Sequence, residues 1–188
     1  MKDNKLYTTG EIAEMCQVTI NAVKKWIAAG KIIAFRTPGG HYRISKDDLL
    51  VFLGNYKVGI KDDVFPELKR VLVVDDDPGV LEFIRGALES MPIRCLIETA
   101  SDGYEALIKV GDFKPEILIL DLRMPKLDGF EVCRRLKSDS STSRLKVLAV
   151  TAHGQEDMKK ILSCGADDCM AKPLKLKDFQ KSVAQLLR

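Results

Sequence analysis

Short apolar runs alternate with amphipathic stretches between residues 71 and 187. Three of these runs, at residues 71–74, 117–120 and 147–150, contain only aliphatic side chains. Uninterrupted runs of this length are typical of parallel strands that are buried on both faces of a sheet. A fourth candidate strand covers residues 168–171. We therefore predict an α/β fold in which five strand–helix units form a doubly wound, five-stranded parallel sheet.

The helices of these units are predicted from their caps and their apolar faces. Asp77 followed by Pro78 is typical of an N-cap with proline at the first helical position, and Asp102 is expected to open the next helix. The residues predicted to face inward in the five helices are Val80, Leu81, Ile84, Leu88, Ala106, Leu107, Val110, Phe130, Val132, Cys133, Leu136, Ile161, Leu162, Phe179, Val183 and Leu186.

Residues 6–53 follow a different pattern. A first short helix is followed by a second one, which Thr19 is expected to cap and Gly30 to end. The glycines of Pro38-Gly39-Gly40, which lie between two extended runs, are typical of a hairpin. Ser45 is expected to cap a last helix. Across these helices the predicted buried residues are Ile12, Ala13, Cys16, Ile20, Val23, Ile27, Leu49, Leu50 and Leu53.

Composition narrows the class of protein. With 46% hydrophobic and 30% charged residues, the chain has enough apolar material for packed cores. It shows no N-terminal signal run and no apolar stretch of about 20 residues, so we expect a cytoplasmic protein without a membrane partner. The five cysteines include no Cys-x-x-Cys pair. A zinc site or a disulfide framework is therefore unexpected, and reduced thiols fit best.

Charge is distributed unevenly along the chain. Residues 1–59 contain nine Lys and Arg against five Asp and Glu, whereas residues 60–188 contain 21 against 22. The first part therefore has a net charge of +4 and the second a net charge of −1. This asymmetry indicates a polyanionic partner for the N-terminal part.

Polar residues follow the apolar runs and carry the candidate chemistry. Asp75 and Asp76 follow the first run, Asp121 the second, Thr151 the third, and Lys172 the fourth candidate strand. Ligands of doubly wound sheets bind at the carboxyl ends of the strands, where the strand order reverses. With the strand order 2-1-3-4-5 of a flavodoxin-like sheet, the first and third strands are neighbours. The three carboxylates are then expected to converge on one crevice.

Three close carboxylates repel one another and need a cation. Oxygen ligands suit a hard ion such as Mg²⁺, which would also lower the repulsion between Asp121 and an incoming phosphoryl group. A carboxylate nucleophile forms an acyl phosphate, which can be passed on or hydrolysed. Lys172 would neutralise one phosphate oxygen and Thr151 would donate a hydrogen bond to another. We expect this chain to accept phosphate on Asp121 and not to be an enzyme. The enzyme-like reaction expected of it is self-catalysed hydrolysis of the acyl phosphate on Asp121.

In order and spacing, these motifs resemble the receiver domain of response regulators. The matching elements are Val-Val-Asp-Asp at 73–76, Asp-Leu-Arg-Met-Pro-x-Leu-Asp-Gly at 121–129, Thr-Ala at 151–152 and Lys-Pro at 172–173. The resemblance implies that Asp121 is the phosphate acceptor and that Asp75 and Asp76 are metal ligands or their supports. It also implies that the backbone carbonyl of Arg123 is a metal ligand, and that a cis peptide precedes Pro173.

One position departs from the receiver pattern. An aromatic residue usually lies three positions before the lysine in the family, and here that position is Cys169. We interpret Cys169 as a buried apolar thiol rather than a redox switch. A phosphatase with an Asp-x-Asp loop is an alternative reading of the Asp121 loop, but Arg123 stands where the second Asp would be.

The N-terminal module resembles the winged helix-turn-helix heads of the excisionase and MerR families. The resemblance rests on Thr-Thr-Gly-Glu-Ile-Ala at 8–13, on the helix at 19–30, and on Arg-Thr-Pro-Gly-Gly-His-Tyr-Arg at 36–43. Polar side chains on the outer face of the second helix and on the wing, the predicted hairpin at residues 36–43, would contact DNA. The predicted DNA-binding residues are Thr19, Asn21, Lys24, Lys25, Arg36, His41 and Arg43. Trp26 is interpreted as a core residue, and Tyr42 fits either role.

Together these patterns predict a winged helix-turn-helix domain at residues 1–54, a linker at 55–68 and a receiver domain at 69–188. We expect a response regulator that a sensor histidine kinase or phosphotransfer protein phosphorylates on Asp121. The receiver is expected to form a homodimer when phosphorylated and to bring two heads onto double-stranded DNA. The alternative is a phosphorelay adaptor whose winged module binds protein rather than DNA.

Overall fold

The computed structural model describes residues 5–56, 68–152 and 154–188. The chain divides into two compact units, Met1–Pro66 and Glu67–Arg188. Most of the predicted linker at 55–68 lies outside the described residues. The last helix of the first unit extends through Tyr56, two residues beyond the predicted end of the first domain.

The first unit combines three helices with a small antiparallel sheet. Its elements are β1 (Leu6–Tyr7), α1 (Thr9–Met15), α2 (Ile20–Ala28), β2 (Phe35–Arg36), β3 (Tyr42–Ser45) and α3 (Lys46–Tyr56). The strand order is β1-β3-β2. The predicted hairpin is present as β2 and β3, which pair antiparallel. Strand β1 was not predicted, because two residues are too few to show an alternating pattern.

Capping residues set the ends of the first helices. Thr8 and Glu11 form a capping box at the start of α1. The Thr19 side chain accepts a hydrogen bond from the backbone N–H of Ala22, as expected of an N-cap. The C-cap of α2 is Ala29 rather than Gly30. Gly30 follows it with φ 68°, the left-handed conformation that glycine adopts without strain.

The core of the first unit lies between the helices and the sheet. Its most deeply buried side chains are those of Ile12, Val23, Ile44, Leu49, Phe52 and Leu53. The Trp26 ring packs on Phe52, with ring centroids 4.8 Å apart, in agreement with a structural role. The prediction that Ile20 is buried was wrong: it lies in the first turn of α2 and is 48% exposed.

The second unit is a five-stranded parallel sheet with helices on both faces. Its elements are β4 (Lys69–Val74), α4 (Pro78–Glu89), β5 (Cys95–Ala100), α5 (Gly103–Phe113), β6 (Ile117–Asp121), α6 (Gly129–Ser138), β7 (Lys146–Thr151), α7 (Gln155–Ser163), β8 (Asp168–Ala171) and α8 (Leu176–Leu186). The strand order β5-β4-β6-β7-β8 is the predicted 2-1-3-4-5. The predicted fold class is therefore confirmed.

Alternate residues of each central strand enter two different cores. Val71, Val73, Ile117 and Ile119 pack with the inward faces of α4 and α8. Leu72, Val74, Leu118 and Leu120 pack with residues of α5, α6 and α7 on the other face. Burial on both faces explains why the strands read as uninterrupted apolar runs. The prediction for α7 was half right, because Ile161 is buried whereas Leu162 is 47% exposed.

Two further findings concern the whole described chain. Among the helices that the structure describes, none is long and apolar enough to cross a membrane. All five cysteines are free thiols.

Candidate functional site

Pairing of β4 with β6 brings two carboxylates together at one edge of the sheet. Val74 lies opposite Leu120 in the ladder, and Asp75 and Asp121 come next along their strands. Both side chains are almost fully buried. Two carboxylates that are buried side by side repel one another strongly, because the protein interior screens charge far less than water does.

Lys172 bridges the two carboxylates. Its Nζ lies 2.7 Å from Asp75 Oδ2 and 2.7 Å from Asp121 Oδ1. The loop that carries Lys172 is fixed to the neighbouring strand, since the Lys172 N–H donates to the carbonyl oxygen of Thr151 at 2.7 Å. The Lys172–Pro173 peptide is cis, as the family resemblance implies. The described geometry thus joins Asp75, Asp121 and Lys172 in one buried cluster.

Burial and charge act against each other in this cluster. Burial raises the pKa of the Asp75 carboxyl, the Lys172 ammonium and the Asp77 N–H oppose this rise, and the Asp121 charge adds to it. Burial also acts to lower the pKa of Lys172, but its hydrogen bonds to Asp121 and Asp75 outweigh burial and hold the pKa above its usual range. Lys172 is therefore fixed in its charged form beside the two acids.

Backbone groups hold the remaining carboxylate oxygens. The Asp77 N–H donates to Asp75 Oδ1 at 3.0 Å, and the Arg123 N–H donates to Asp121 Oδ2 at 2.8 Å. Gly129 begins α6 directly behind Asp121, and a Cβ at this position would lie 2.3 Å from the Asp121 carbonyl oxygen. The site therefore needs glycine at this position because the two backbone segments are in close contact.

The Arg123 side chain ties the Asp121 loop to α7. Its guanidinium forms three hydrogen bonds with the carboxylate of Asp157, at 2.9, 3.0 and 3.2 Å. Asp157 is buried, whereas the Arg123 side chain is half exposed. This pair could not be predicted from the sequence, because the two residues lie 34 positions apart and no motif contains both.

The predicted DNA-binding residues of the first unit lie on α2 and on the wing. Asn21, Lys24 and Lys25 are exposed on α2. Thr19 is exposed as well, but its hydroxyl is used as the N-cap of the same helix. The structure thus presents one amide and two ammonium groups to solvent on this helix.

The wing residues differ in how freely they reach solvent. Arg36 donates to the Tyr42 hydroxyl at 2.8 Å and its guanidinium lies 4.7 Å from the centroid of the Tyr42 ring. Tyr42 therefore supports Arg36, a role that the sequence left open. His41 is exposed. Arg43 is only half exposed and donates to the Tyr42 carbonyl at 2.9 Å, so part of its donor capacity is already used.

Each of the two units matches the sequence profile of a known family. The sequence profile of the response regulator receiver domain matches residues 71–184, more than half of the chain. This chain belongs to the response regulator family. A second profile, that of a helix-turn-helix domain, matches residues 6–56 of this response regulator.

Individual relatives agree with this assignment. The DNA-binding dual master transcriptional regulator RpaA of Synechocystis sp. is 35% identical over 122 residues, which are 64% of this chain and 50% of RpaA. The response regulator MprA of Mycobacterium avium is 40% identical over 120 residues, 63% of this chain and 51% of MprA. The chain thus spans about half of the length of these curated relatives.

Solved structures of response regulators also match this chain. The signal receiver domain of a DNA-binding response regulator from Colwellia psychrerythraea matches with a TM-score of 0.60 and 30% identity, over 63% of this chain and 98% of that one. The Mn²⁺-bound form of the response regulator Rcp1 matches with a TM-score of 0.55 and 25% identity, over 63% and 91% of the two chains.

The acidic cluster of this response regulator fits a hard cation, although it differs from the predicted trio. Asp75 and Asp121 converge, whereas Asp76 is exposed to solvent. In the described parts of the chain, no group of three or more His, Cys, Asp or Glu side chains is arranged to hold a metal ion. The donor chemistry still suits Mg²⁺, which proteins commonly hold with one or two carboxylates while it keeps several waters.

Thr151 and Cys169 lie on the last two strands of the sheet. Thr151 ends β7 and is fully buried. Cys169 pairs with Ala149 across the β7–β8 ladder and is buried in the same core as α5 and α6. Burial raises the pKa of the Cys169 thiol to about 11. This agrees with an apolar, unreactive thiol.

Proposed function

We propose that this response regulator accepts a phosphoryl group on Asp121 from a sensor histidine kinase or phosphotransfer protein, and that phosphorylation controls binding of double-stranded DNA by the N-terminal unit. The observation that carries the proposal is the buried cluster in which a single lysine bridges Asp75 and Asp121. Its position at the carboxyl edge of a doubly wound sheet is where ligands of such folds bind.

The charge of the cluster explains its need for a cation. Two carboxylates and one ammonium leave a net charge of −1, and a phosphoryl group brings further negative charge. Asp75, Asp121 and the carbonyl of Arg123 would hold Mg²⁺, and Asp76, which is exposed next to Asp75, would support them. When bound, the ion supplies the positive charge that offsets repulsion between Asp121 and the phosphoryl oxygens.

The transfer itself needs little more than alignment. A carboxylate oxygen of Asp121 attacks the phosphorus of a phosphohistidine, and a P–O bond forms as the P–N bond breaks. The released electron pair remains on the imidazole nitrogen, which takes up a proton. Lys172 lies within reach of the new phosphoryl oxygens, and Thr151 would donate a hydrogen bond to another of them.

Labelling by acetyl phosphate tests the acceptor. With Mg²⁺ present, we expect the intact chain to gain one phosphoryl group and Asp121→Asn to gain none. Asp112→Asn is the matched control, because it removes an exposed carboxylate of α5 outside the cluster. Labelling that persists in Asp121→Asn would contradict the assignment, as would labelling that needs no divalent cation.

The exposed face of α2 carries the DNA part of the proposal. Phosphate contacts from Lys24, Lys25 and the wing residues Arg36, His41 and Arg43 would supply most of the affinity and make it depend on salt. Asn21 would contact base edges, and Thr19 would fix the start of the helix. Since one head offers few contacts, we propose that a phosphorylated receiver dimer raises the affinity by joining two heads.

Electrophoretic mobility shift with genomic fragments tests this part. Lys24→Ala should weaken binding and reduce the slope of log K against log salt by about 1. Lys159→Ala, which removes one exposed charge from α7, should leave both unchanged. Absence of binding at low salt, with and without an acyl-phosphate mimic, would refute DNA binding and favour a module that docks protein.

A further inference from the structure

A cavity of about 570 Å³ lies at the edge of the receiver sheet opposite to Asp121. Lys69 and Lys146 line it, and they begin β4 and β7. Glu116, which immediately precedes β6, lines it as well. Since the amino ends of parallel strands share one edge, this basal cavity is separated from the phosphorylation cluster by the length of the strands.

Positive charge dominates the lining of the basal cavity. The cationic lining residues are Lys69, Lys114, Arg144, Lys146 and Arg188. Against these five stands one lining carboxylate, that of Glu116, which pairs with Lys69 at 2.7 Å. Two of the five cations are already paired, Lys69 with Glu116 and Lys146 with Asp167 at 3.0 Å, which leaves three positive charges without a carboxylate partner among the described residues. Within the described part of the chain, no carboxylate pairs with Lys114 or Arg144, so their charge is available to a ligand.

Helix ends oppose this charge only weakly. Residues in the last turns of α5 and α8 line the cavity, and a helix C-terminus carries about −0.5 of an elementary charge. Two such ends contribute about −1 against the three unpaired positive charges of the side chains. The Lys114 carbonyl, just beyond α5, already accepts a hydrogen bond from Arg70 Nε at 2.8 Å. A concave lining with charge of one sign concentrates its field and attracts anions.

The loop that carries Arg144 is fixed by its own hydrogen bonds. Ser141 donates from both its N–H and its hydroxyl to Asp139, at 2.8 and 2.7 Å. The Thr142 hydroxyl donates to the carbonyl of Leu136 at 2.8 Å, and Lys137 Nζ donates to the carbonyl of Leu145 at 2.8 Å. The backbone around Arg144 is therefore ordered before a ligand arrives, which lowers the cost of binding.

Apolar side chains form the remaining wall. Val110, Pro115 and Leu145 are buried and Leu186 and Leu187 are half exposed at the cavity. Cavities of about 300–1,000 Å³ with an apolar lining and a few polar groups are the usual sites of small molecules. An apolar wall beside several cations suits a ligand that combines an apolar part with negative charge.

We propose that the basal cavity binds a phosphorylated small molecule of nucleotide chemistry. Arg144 and Lys114 bind its phosphate groups, and the half-exposed side chains of Leu186 and Leu187 contact its base. The site is distinct from the Asp121 cluster and needs neither the acidic residues nor a divalent cation.

Calorimetric titration of the full-length chain with ATP, adenosine and pyrophosphate, in EDTA, tests the ligand class. EDTA removes divalent cations and so prevents metal-dependent binding of a phosphate at the acidic cluster. ATP should bind, and adenosine and pyrophosphate should each bind at least about tenfold more weakly, because each lacks one of the two recognised parts. If ATP and adenosine bind equally, the cations do not contribute to binding. If ATP and pyrophosphate bind equally, the apolar wall does not contribute to binding. Absence of ATP binding at millimolar concentration would overturn the site.

Two pairs of variants locate the binding. Gly111 lies in the lining, and a Cβ there would meet nothing within 4 Å, so Gly111→Phe should fill the cavity without disturbing the core. Gly86→Phe is its control, since Gly86 on α4 is equally open. Arg144→Ala should raise Kd about tenfold, the loss expected for a charge-assisted hydrogen bond. Lys159→Ala should not change it. Binding that Gly111→Phe and Arg144→Ala both leave intact would place the ligand elsewhere.

Discussion

Gly129 offers a direct test of how tightly the Asp121 loop is packed. A Cβ at this position would lie 2.3 Å from the Asp121 carbonyl oxygen and 2.9 Å from Leu122 Cα, where ordinary contacts are 3.4–4 Å. Both neighbours are backbone atoms, so no side chain can rotate away. Overpacking costs about 1–3 kcal/mol, and we expect Gly129→Ala to lie at the upper end, near 3 kcal/mol.

The same substitution at Gly86 should act in the opposite direction. Gly86 lies within α4, and a Cβ there would meet nothing within 4 Å. Replacing glycine by alanine in an open helical position stabilises by about 0.8–1 kcal/mol. The two Gly→Ala variants should therefore differ by about 4 kcal/mol in the free energy of unfolding.

Amide hydrogen exchange of the β6 core measures this difference in the second unit alone, without interference from unfolding of the first unit. Protection of Leu118, Ile119 and Leu120 should fall in Gly129→Ala and rise in Gly86→Ala. Labelling of Asp121 by acetyl phosphate should fall only in Gly129→Ala, since its Cβ displaces the acceptor backbone. If both variants keep wild-type protection in β6, the close contact behind Asp121 is not present in solution.

Three further predictions concern charge and burial in the described residues. Lys172→Ala leaves two buried carboxylates without their shared partner and should destabilise the second unit by about 3 kcal/mol in chemical denaturation. If Lys172→Ala lowers the free energy of unfolding equally in the Asp75→Asn background, repulsion between the two carboxylates is not the cause. Burial raises the pKa of Asp167, but its ion pairs with Lys137 and Lys146 and the hydrogen bond from the Val147 N–H together outweigh burial and hold the pKa below its usual range. A lowered pKa gives stability that is present above the unfolded-state pKa and lost as the pH falls through the folded-state pKa. The stability difference between wild type and Asp167→Asn should thus be full near neutral pH and vanish in strong acid; a difference that is independent of pH would exclude the ion pairs as its cause. Four thiols have their pKa raised to about 11: those of Cys16, Cys133 and Cys169, which are buried, and that of Cys95, which is half-buried. Iodoacetamide at about pH 8 should therefore label them at least about tenfold more slowly in the native chain than in concentrated urea, as read by mass spectrometry. Equal rates would show that these thiols are accessible.

Patterns that depend on neighbouring residues were predictable. The caps Asp77 and Asp102 are the N-caps of α4 and α5, because a cap acts through hydrogen bonds within one helical turn. The central strands were found from apolar runs that burial on both faces requires. Strand β5 was expected from the fold but not located, since Cys95–Ala100 at the sheet edge contains polar residues and its burial is only partial.

The sequence by itself determined the fold class, the two-part organisation and the order of the strand-end residues Asp75, Asp121, Thr151 and Lys172. These follow from apolar periodicity and from motifs whose members lie close together in the chain. Only the tertiary structure decided that Lys172 bridges Asp75 and Asp121, that the Arg123 guanidinium donates hydrogen bonds to Asp157, and that Ile20 and Leu162 face solvent. Such contacts join residues that are far apart in sequence, and their geometry depends on how elements pack, which no local pattern records.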